Sequence, residues 1–388
     1  MSDQPRKLAN LSAAVGALLG VARADVLPDD RADVLWHGYN GGGISVEGWS
    51  TLATVKFGDH VSVAGNYYTD NIVGHVDTIA GASVNAVSGA SRYQEKRTQR
   101  SVSGNLLADK TTYSLGFIDS NEPDFKSKTA FGSVSESMFG DLTTVSFGFT
   151  RGWDKVGERG APEFSKDADR RNWQLGVSQV LTRNLLLGLN FETTESEGYL
   201  NNPYRLVRYV DPTAARGYST QPEQYPHTRT GNAASGQLKF HLPGRGAVDG
   251  GYRFYSDTWG IRASTVNVGY TQPLFASLTI DGHVRFYRQN QANFYSDLFP
   301  YASAQNFLAR DRELAAFKST SPGVGISWEF HPARFSWIQK GSLNGRFDHL
   351  SIHYRDYRDL TDVGVTPGTE PLYVLSANVL QFFISVWF

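Results

Sequence analysis

Short stretches in which apolar residues alternate with small or polar residues recur along most of the chain. In one of them Tyr113, Leu115 and Phe117 alternate with threonine, serine and glycine, and similar stretches follow at 145–149, 173–177, 266–270 and 278–286. Because successive side chains of a strand point to opposite faces, each stretch predicts a strand with one apolar and one polar face. Repetition of this pattern is typical of the apolar-out, polar-in strands of a transmembrane barrel.

The connections between these stretches differ in length on the two sides. Tight turns are predicted at 58–59, 108–110, 140–141, 183–184, 243–246, 274–276 and 331–334, and longer polar loops at 71–94, 154–168, 198–228, 291–312 and 358–371. Two further connections on the long-loop side, 121–123 and 257–260, are short. Membrane barrels have short periplasmic turns and longer external loops, which assigns the two sides.

Counting strands between these turns gives fifteen, and a segment at Asp33 to Tyr39, followed by Asn40 and three glycines, supplies one more. An even number of strands brings both chain ends to the periplasmic side. We therefore predict an all-β, transmembrane, antiparallel up-and-down barrel of about 16 strands, with 14 or 18 as alternatives. A soluble all-β domain with amphipathic strands is the competing interpretation.

Charged residues on the polar faces of the strands support the membrane orientation. A Lys or Arg on the lipid face near the midplane costs on the order of 2–4 kcal/mol, and the apolar stripes contain almost none. A water-filled interior accommodates charges, so we expect the following residues to line the lumen: Lys239, His241, Arg253, Asp281, His283, Arg285, Glu329 and Arg355.

The two ends of the sequence carry export and assembly signals. Arg6 and Lys7 precede an apolar run, and Ala22 and Ala24 provide small residues at a cleavage site, so 1–24 is interpreted as a secretory signal and 25–388 as a single barrel domain. The last strand is apolar on alternate positions. Its aromatic end is interpreted as a signal for the barrel-assembly machinery, carried by Phe382, Ile384, Val386, Trp387 and Phe388.

Composition and charge exclude several classes. The chain has no cysteine, so it cannot be a disulfide scaffold. Removal of Arg6, Lys7, Arg23 and Asp3 with the signal leaves 34 basic and 37 acidic residues, a balance that argues against nucleic acid as a partner. No hydrolase, zinc-protease or phosphate-loop motif occurs, so we expect no enzyme activity, no cofactor and no metal. Asp281 and His283 share a strand face, which is interpreted as lumen polarity rather than catalysis.

Two loops merit attention. The small, weakly polar residues at 79–91 favour either a segment that folds into the barrel mouth and narrows it, or a mobile external loop. The longest loop interleaves arginine with aromatic residues, which is common recognition chemistry. The candidates are Tyr204, Arg205, Arg208, Tyr225 and Arg229. These residues could equally hold loops together or contact lipopolysaccharide phosphates.

Several stretches also carry a family resemblance. They read VSVAGNYYTD at 61–70, AVSGAS at 86–91, NPYR at 202–205, YRFYSDTWGI at 252–261, RFYRQ at 285–289, FY at 294–295 and SANVLQ at 376–381. The chain resembles an uncharacterised family of proteobacterial outer-membrane barrels that is classed as a domain of unknown function. The resemblance implies the barrel fold and an outer-membrane location, and it assigns no catalytic residues. It also implies gene neighbours, among them a small lipoprotein and redox proteins.

Two functions follow as hypotheses. The first is a channel for small solutes, since 16 strands leave a lumen wide enough for water. The second is a sheath that holds a small redox or periplasmic lipoprotein partner for electron transfer across the cell envelope. Outer-membrane lipid, lipopolysaccharide and the assembly machinery are expected partners in either case.

Overall fold

In the computed structural model, alternating strands of the chain close into a single barrel. The structure describes residues 26–79, 82–85, 91–158, 160–332, 334–361 and 364–388, and for 74–79, 82–85 and 91–94 it describes the backbone only. The predicted signal at 1–24 lies outside these residues, as does most of the 79–91 segment. Across the described residues, no helix is long and apolar enough to cross a membrane.

Nineteen strands are formed by the described residues, and sixteen of them make the barrel wall. The wall strands are β1 (Arg31–Gly41), β2 (Ile44–Phe57), β3 (Val61–Ile79), β5 (Ser91–Ala108), β6 (Thr111–Asn121), β7 (Phe125–Met138), β8 (Thr143–Glu158), β9 (Ala161–Thr182), β10 (Leu185–Gly198), β13 (Thr228–His241), β14 (Ala247–Asp257), β15 (Arg262–Pro273), β16 (Leu278–Gln289), β17 (Phe317–Phe330), β18 (Lys340–Arg358) and β19 (Leu372–Trp387). The other three belong to loops: β4 (Ala82–Asn85) pairs with the end of β3, and β11 (Leu206–Val210) pairs with β12 (Tyr218–Pro222).

Each wall strand pairs antiparallel with its two neighbours in chain order, and the seam forms between the first and last strands. Eleven residue pairs join β1 to β19, from Arg31 opposite Trp387 to Gly41 opposite Ala377. The closed ladder leaves no open strand edge, which is the condition for placing backbone groups in hydrocarbon. The prediction of a 16-stranded up-and-down transmembrane barrel is confirmed.

The faces of the strands follow the predicted alternation. Large apolar side chains are exposed on the outside, and small or polar ones lie inside. Exposed outer residues include Val102, Leu115, Phe147, Phe191, Tyr252, Val268, Val324 and Phe382. Exposure of an apolar surface that surrounds a whole protein is unfavourable in water, whereas lipid covers such a surface favourably. The competing soluble interpretation required the opposite orientation.

Six of the seven tight turns lie where they were predicted, at one end of the barrel, which we name the turn end; the seventh, predicted at 331–334, is a longer connection from Phe330 to Lys340. The opposite end of the barrel is the loop end. Gly58 adopts a φ of 64° at the first turn, a left-handed conformation that glycine accepts without strain. Two predicted loops are shorter than expected, because β3 and β5 run through much of 71–94, and β8 and β9 occupy all of 154–168 except 159–160. Strands continue there although these segments are rich in polar residues, because hydrogen-bonded ladders outside hydrocarbon need no continuous apolar stripe.

Candidate functional site: the barrel interior and its loop assembly

One half of the inner wall is uncharged at mid-height. Inward positions of β5 to β9 carry hydroxyl and amide side chains, with the aromatic ring of Phe131 among them; the polar ones include Ser103, Asn105, Ser114, Ser133, Ser146 and Gln174. They bond to one another: the Ser114 hydroxyl donates to Asn105 Oδ1 at 2.6 Å, and Asn105 Nδ2 donates to Ser62 Oγ at 3.0 Å. This neutral wall offers donors and acceptors and no net charge.

The opposite half, on β13 to β18, is charged. His283 Nε2 lies 2.7 Å from Asp348 Oδ1, and its Nδ1 lies 3.8 Å from Asp281. Arg346 lies beside the same ring, with Nε 3.2 Å from Asp348 Oδ2. This charged cluster has space because the inner face of neighbouring β17 carries glycine: a Cβ on Gly323 would collide with Asp348 and His283.

Two arginines lie on the same charged side of the inner wall. Arg253 of β14 donates to Glu192 Oε2 at 2.9 Å. Arg285 of β16 lies over the ring of Tyr287, 5.3 Å from its centroid. Among the described residues, no carboxylate lies within ion-pair distance of Arg285. Its guanidinium therefore remains available to an anionic group inside the barrel.

The eight predicted lumen residues do not all face the barrel interior. Seven lie on the inner face: Lys239, His241, Arg253, Asp281, His283, Arg285 and Glu329. Arg355 does not; it is exposed and alternates with buried Tyr354, which places it on the outer face beyond the hydrocarbon. The reason is that polarity reverses at the loop end of β18, where Leu350, Ile352 and Tyr354 face inward and pack against loops.

Sequence reasoning missed a second polar cluster on the inner wall. His37 Nε2 lies 2.8 Å from Asp70 Oδ1, and the Tyr68 hydroxyl donates to Asp70 Oδ2 at 2.7 Å. The imidazole and phenol rings are stacked at 5.4 Å. Gly48, on the strand between them, leaves the necessary space. The alternation in β1 and β3 was sufficient to find these residues.

Three long loops meet at the loop end and form what we name the loop assembly: 199–227, 290–316 and 359–371. Backbone hydrogen bonds join the first two. Val210 N–H donates to the Phe299 carbonyl, and Phe299 N–H donates to the Arg208 carbonyl, both at 2.9 Å. Gln224 and Leu308 exchange a second pair of backbone bonds at 2.9 and 2.8 Å. The loops are thus ordered relative to one another.

The loop assembly lies inside the barrel mouth. Its residues Tyr225, Phe294 and Tyr295 share one apolar cluster with Leu375 and Ala377, which point inward from β19. The short strand β11 also lies near β4, which belongs to the loop on the other side of the barrel. Loop residues therefore narrow the opening at this end. The separate prediction for 79–91 stays open, because most of that segment is outside the described residues.

A single arginine connects all three loops. The Arg208 side chain is fully buried and forms ion pairs with Asp297 of the second loop and Glu370 of the third. Burial raises the pKa of the Glu370 carboxyl, but hydrogen bonds from Arg208 outweigh it and the pKa is lowered. Arg310 adds a second cation, with a terminal nitrogen 2.9 Å from Asp297 Oδ1.

The loop assembly also contains a buried acidic residue, Glu223. Glu223 accepts hydrogen bonds from the Tyr225 hydroxyl at 2.5 Å and from the Arg310 N–H at 2.7 Å. Its pKa is raised to about 7, first by burial and then by Asp311, whereas Arg205 opposes the shift. Burial likewise raises the pKa of the Tyr225 phenol well above its usual range.

These contacts locate the predicted loop-recognition residues. Arg205, Arg208 and Tyr225 are buried within the loop assembly, and Arg229 points inward from β13 to Asp257, with which its NH2 group bonds at 2.6 Å. Tyr204 is partly exposed. Contacts of Arg205, Arg208 and Tyr225 join loops to one another, and a role of the five residues in recognition stays a prediction.

The proposed assembly signal occupies both faces of β19. Phe382, Ile384 and Val386 point outward, while Trp387 points inward between Arg31 and Lys340, whose charged groups lie 5.6 and 4.8 Å from its ring centre. The Phe388 N–H donates to the Asp30 carbonyl at 3.3 Å. Reading of this strand by an assembly machinery stays a prediction.

The fold and the polar interior define a protein of the outer-membrane β-barrel class. The chain belongs to the family described as "Protein of unknown function (DUF3570)", whose model matches residues 8–370. No curated protein matches the sequence.

Solved structures with similar architecture are outer-membrane proteins of low sequence identity. A "Bacterial polysaccharide outer membrane secretin" aligns with 94% of this chain and 99% of its own, at 8% identity and a TM-score of 0.49. The trimeric outer membrane protein OmpT of Vibrio cholerae covers 93% and 98%, at 9% identity and 0.45. The outer membrane protein opdK of Pseudomonas aeruginosa covers 92% and 99%, at 9% identity and 0.42.

Proposed function

We propose that this protein is a channel for small hydrophilic solutes across the outer membrane of a Gram-negative cell. The observation that carries the proposal is the inner wall, which combines a neutral, hydroxyl-rich half with a charged half. A wall of this kind replaces the hydration of a polar solute at little cost. The loop assembly supports a selective channel, since it narrows one opening.

The charged half favours anionic solutes. Arg253 and Arg285 face the interior from β14 and β16, the strands on either side of β15, and Glu192 neutralises only Arg253. A planar guanidinium binds carboxylate or phosphate through two parallel hydrogen bonds. Arg285 therefore provides a contact for a solute that carries such a group.

Planar-bilayer recording tests both parts of this proposal. The purified barrel should conduct ions, and its reversal potential in a salt gradient should show a preference for anions. Replacing Arg285 by Gln should shift the reversal potential towards cations. Arg262→Gln is the matched control, because Arg262 is exposed on the outer face of β15 and the same loss of charge there should leave selectivity unchanged.

The loop assembly gives a reason to keep the second candidate, a sheath for a small redox or lipoprotein partner. With the loop end narrowed, a partner would enter from the turn end. A sheath predicts a barrel that does not conduct and that co-purifies with its partner from the native membrane. Conductance from the purified barrel, with no bound protein, would exclude it.

We also propose export to the outer membrane, with lipopolysaccharide and the barrel-assembly machinery as partners. The apolar outer belt, which requires lipid, supports this location. Density-gradient fractionation of cell envelopes should recover the protein with outer-membrane markers. Recovery in the periplasmic extract would contradict the proposal.

A further inference from the structure

Three carboxylates converge at the loop end, away from the loop assembly. Glu95 points inward from β5, while Glu122 and Asp124 flank Pro123 in the turn between β6 and β7. An oxygen of each carboxylate lies within 4.8 Å of the other two. All three residues are buried, with exposed fractions of 4%, 3% and 6%.

The backbone holds this turn against the neighbouring strand. Glu122 N–H donates to the Phe125 carbonyl at 2.8 Å, and Gly157 N–H of β8 donates to the Asp124 carbonyl at 2.7 Å. A Cβ on Gly157 would lie 3.3 Å from the same carbonyl oxygen, so glycine permits the close approach. These contacts fix the backbone from which the Asp124 side chain extends.

A cation, Arg97, borders the cluster. Arg97 Nε lies 3.7 Å from Glu122 Oε1, and the guanidinium also donates to Gln99. The Oδ1 atom of Asp124 is buried, and no described residue donates a hydrogen bond to it. A buried carboxylate without a partner is strongly unfavourable, and proteins resolve it by pairing, protonation or metal binding.

We propose that Glu95, Glu122 and Asp124 bind one Ca²⁺ ion. Calcium is a hard cation that takes carboxylate oxygens at about 2.3–2.6 Å, and three converging carboxylates supply such a donor set. The ion would neutralise Asp124, and it would join the β6–β7 turn to β5. The site lies at the loop end of the barrel, which is the external side.

The test uses the full mature barrel refolded in detergent without lipopolysaccharide and freed of metal with a chelator. Isothermal titration with CaCl₂ should show one saturable site, and Ca²⁺ should raise the thermal unfolding temperature. Asp124→Asn should weaken binding by at least about tenfold, because charge count sets calcium affinity. Glu163→Gln, at an exposed position of β9 on the same side, should bind like the wild type.

Two results would overturn the proposal. One is equal calcium affinity of the wild type and Asp124→Asn; the other is no saturable binding by the wild type at all. In the second case a proton, not a metal, stabilises the cluster, and Asp124→Asn should unfold at the same or a higher temperature whether or not calcium is present. If Asp124→Asn does not refold, Glu122→Gln replaces it in the same comparison.

Discussion

Removing the guanidinium of Arg208 should release the loop assembly without opening the barrel. Substitution by Ala leaves Glu370 buried and without its cation, while Arg310 still neutralises Asp297. Breaking a buried ion pair by removing one partner costs about 3–5 kcal/mol of stability. Because Asp297 keeps Arg310 as a partner, we expect a cost at the lower end of this range, about 3 kcal/mol. That corresponds to a roughly 150-fold larger open population.

Hydrogen exchange measured by mass spectrometry can detect this change. In Arg208→Ala the amides of 206–210 and 296–300 should exchange roughly 150-fold faster, since Val210 and Phe299 N–H groups bond between these segments. Peptides from β6 and β7 should exchange as before. Arg216→Ala, at an exposed position of the same loop, is the control and should change neither.

A double variant separates charge from packing. Arg208→Met with Glu370→Gln removes the ion pair without leaving a buried charge, and such replacements are often close to neutral. Exchange in the double variant should therefore be slower than in Arg208→Ala. Unchanged exchange at 206–210 in Arg208→Ala would refute the assignment of Arg208 as the residue that holds the three loops together.

Two further predictions concern pH and lipid. Glu223 has a folded pKa of about 7, above its unfolded value. The loop assembly should therefore be most stable below about pH 4.5 and should lose up to roughly 3 kcal/mol of stability as pH rises through 7. Amide protection of 206–210, corrected for intrinsic exchange rates, should fall from pH 5 to pH 8 in the wild type and not in Glu223→Gln. Val324 is exposed at the middle of β17, so Val324→Arg should lower the unfolding free energy in vesicles by about 2–4 kcal/mol. Thr265→Arg, on the inner face, should lower it by less. Equal losses of unfolding free energy in urea titrations would mean that lipid does not cover the outer face.

Alternation of side chains was sufficient to predict the wall because each strand needs only one local rule, that apolar residues occupy every second position. Leu115 and Val324 satisfy it from their own neighbours in sequence, and the turns follow from where the rule stops. Arg355 shows its limit. At that height the inner face packs against loops, so apolar residues point inward and the polar residues that alternate with them point outward.

The loop assembly could not be predicted in this way, since its contacts join residues that are distant in sequence. Arg208 and Glu370 are separated by 162 positions, and Arg208 and Asp297 by 89. An interleaving of arginine and aromatic residues showed that this loop was unusual, but it did not show whether the side chains point to solvent or to one another. The orientation of these arginine side chains depends on which carboxylates the closed barrel places near them at the loop end.

The seam has a consequence for engineering of this protein. Residues 30 and 388 are joined by a backbone hydrogen bond, so a short peptide could connect residue 388 to a chain that begins near residue 26. New ends could then be made at the turn after β2, where Gly58 and Asp59 are exposed. Such circular permutants should fold to the same barrel if the ladder, and not the order of the strands in the polypeptide, specifies the native pairing.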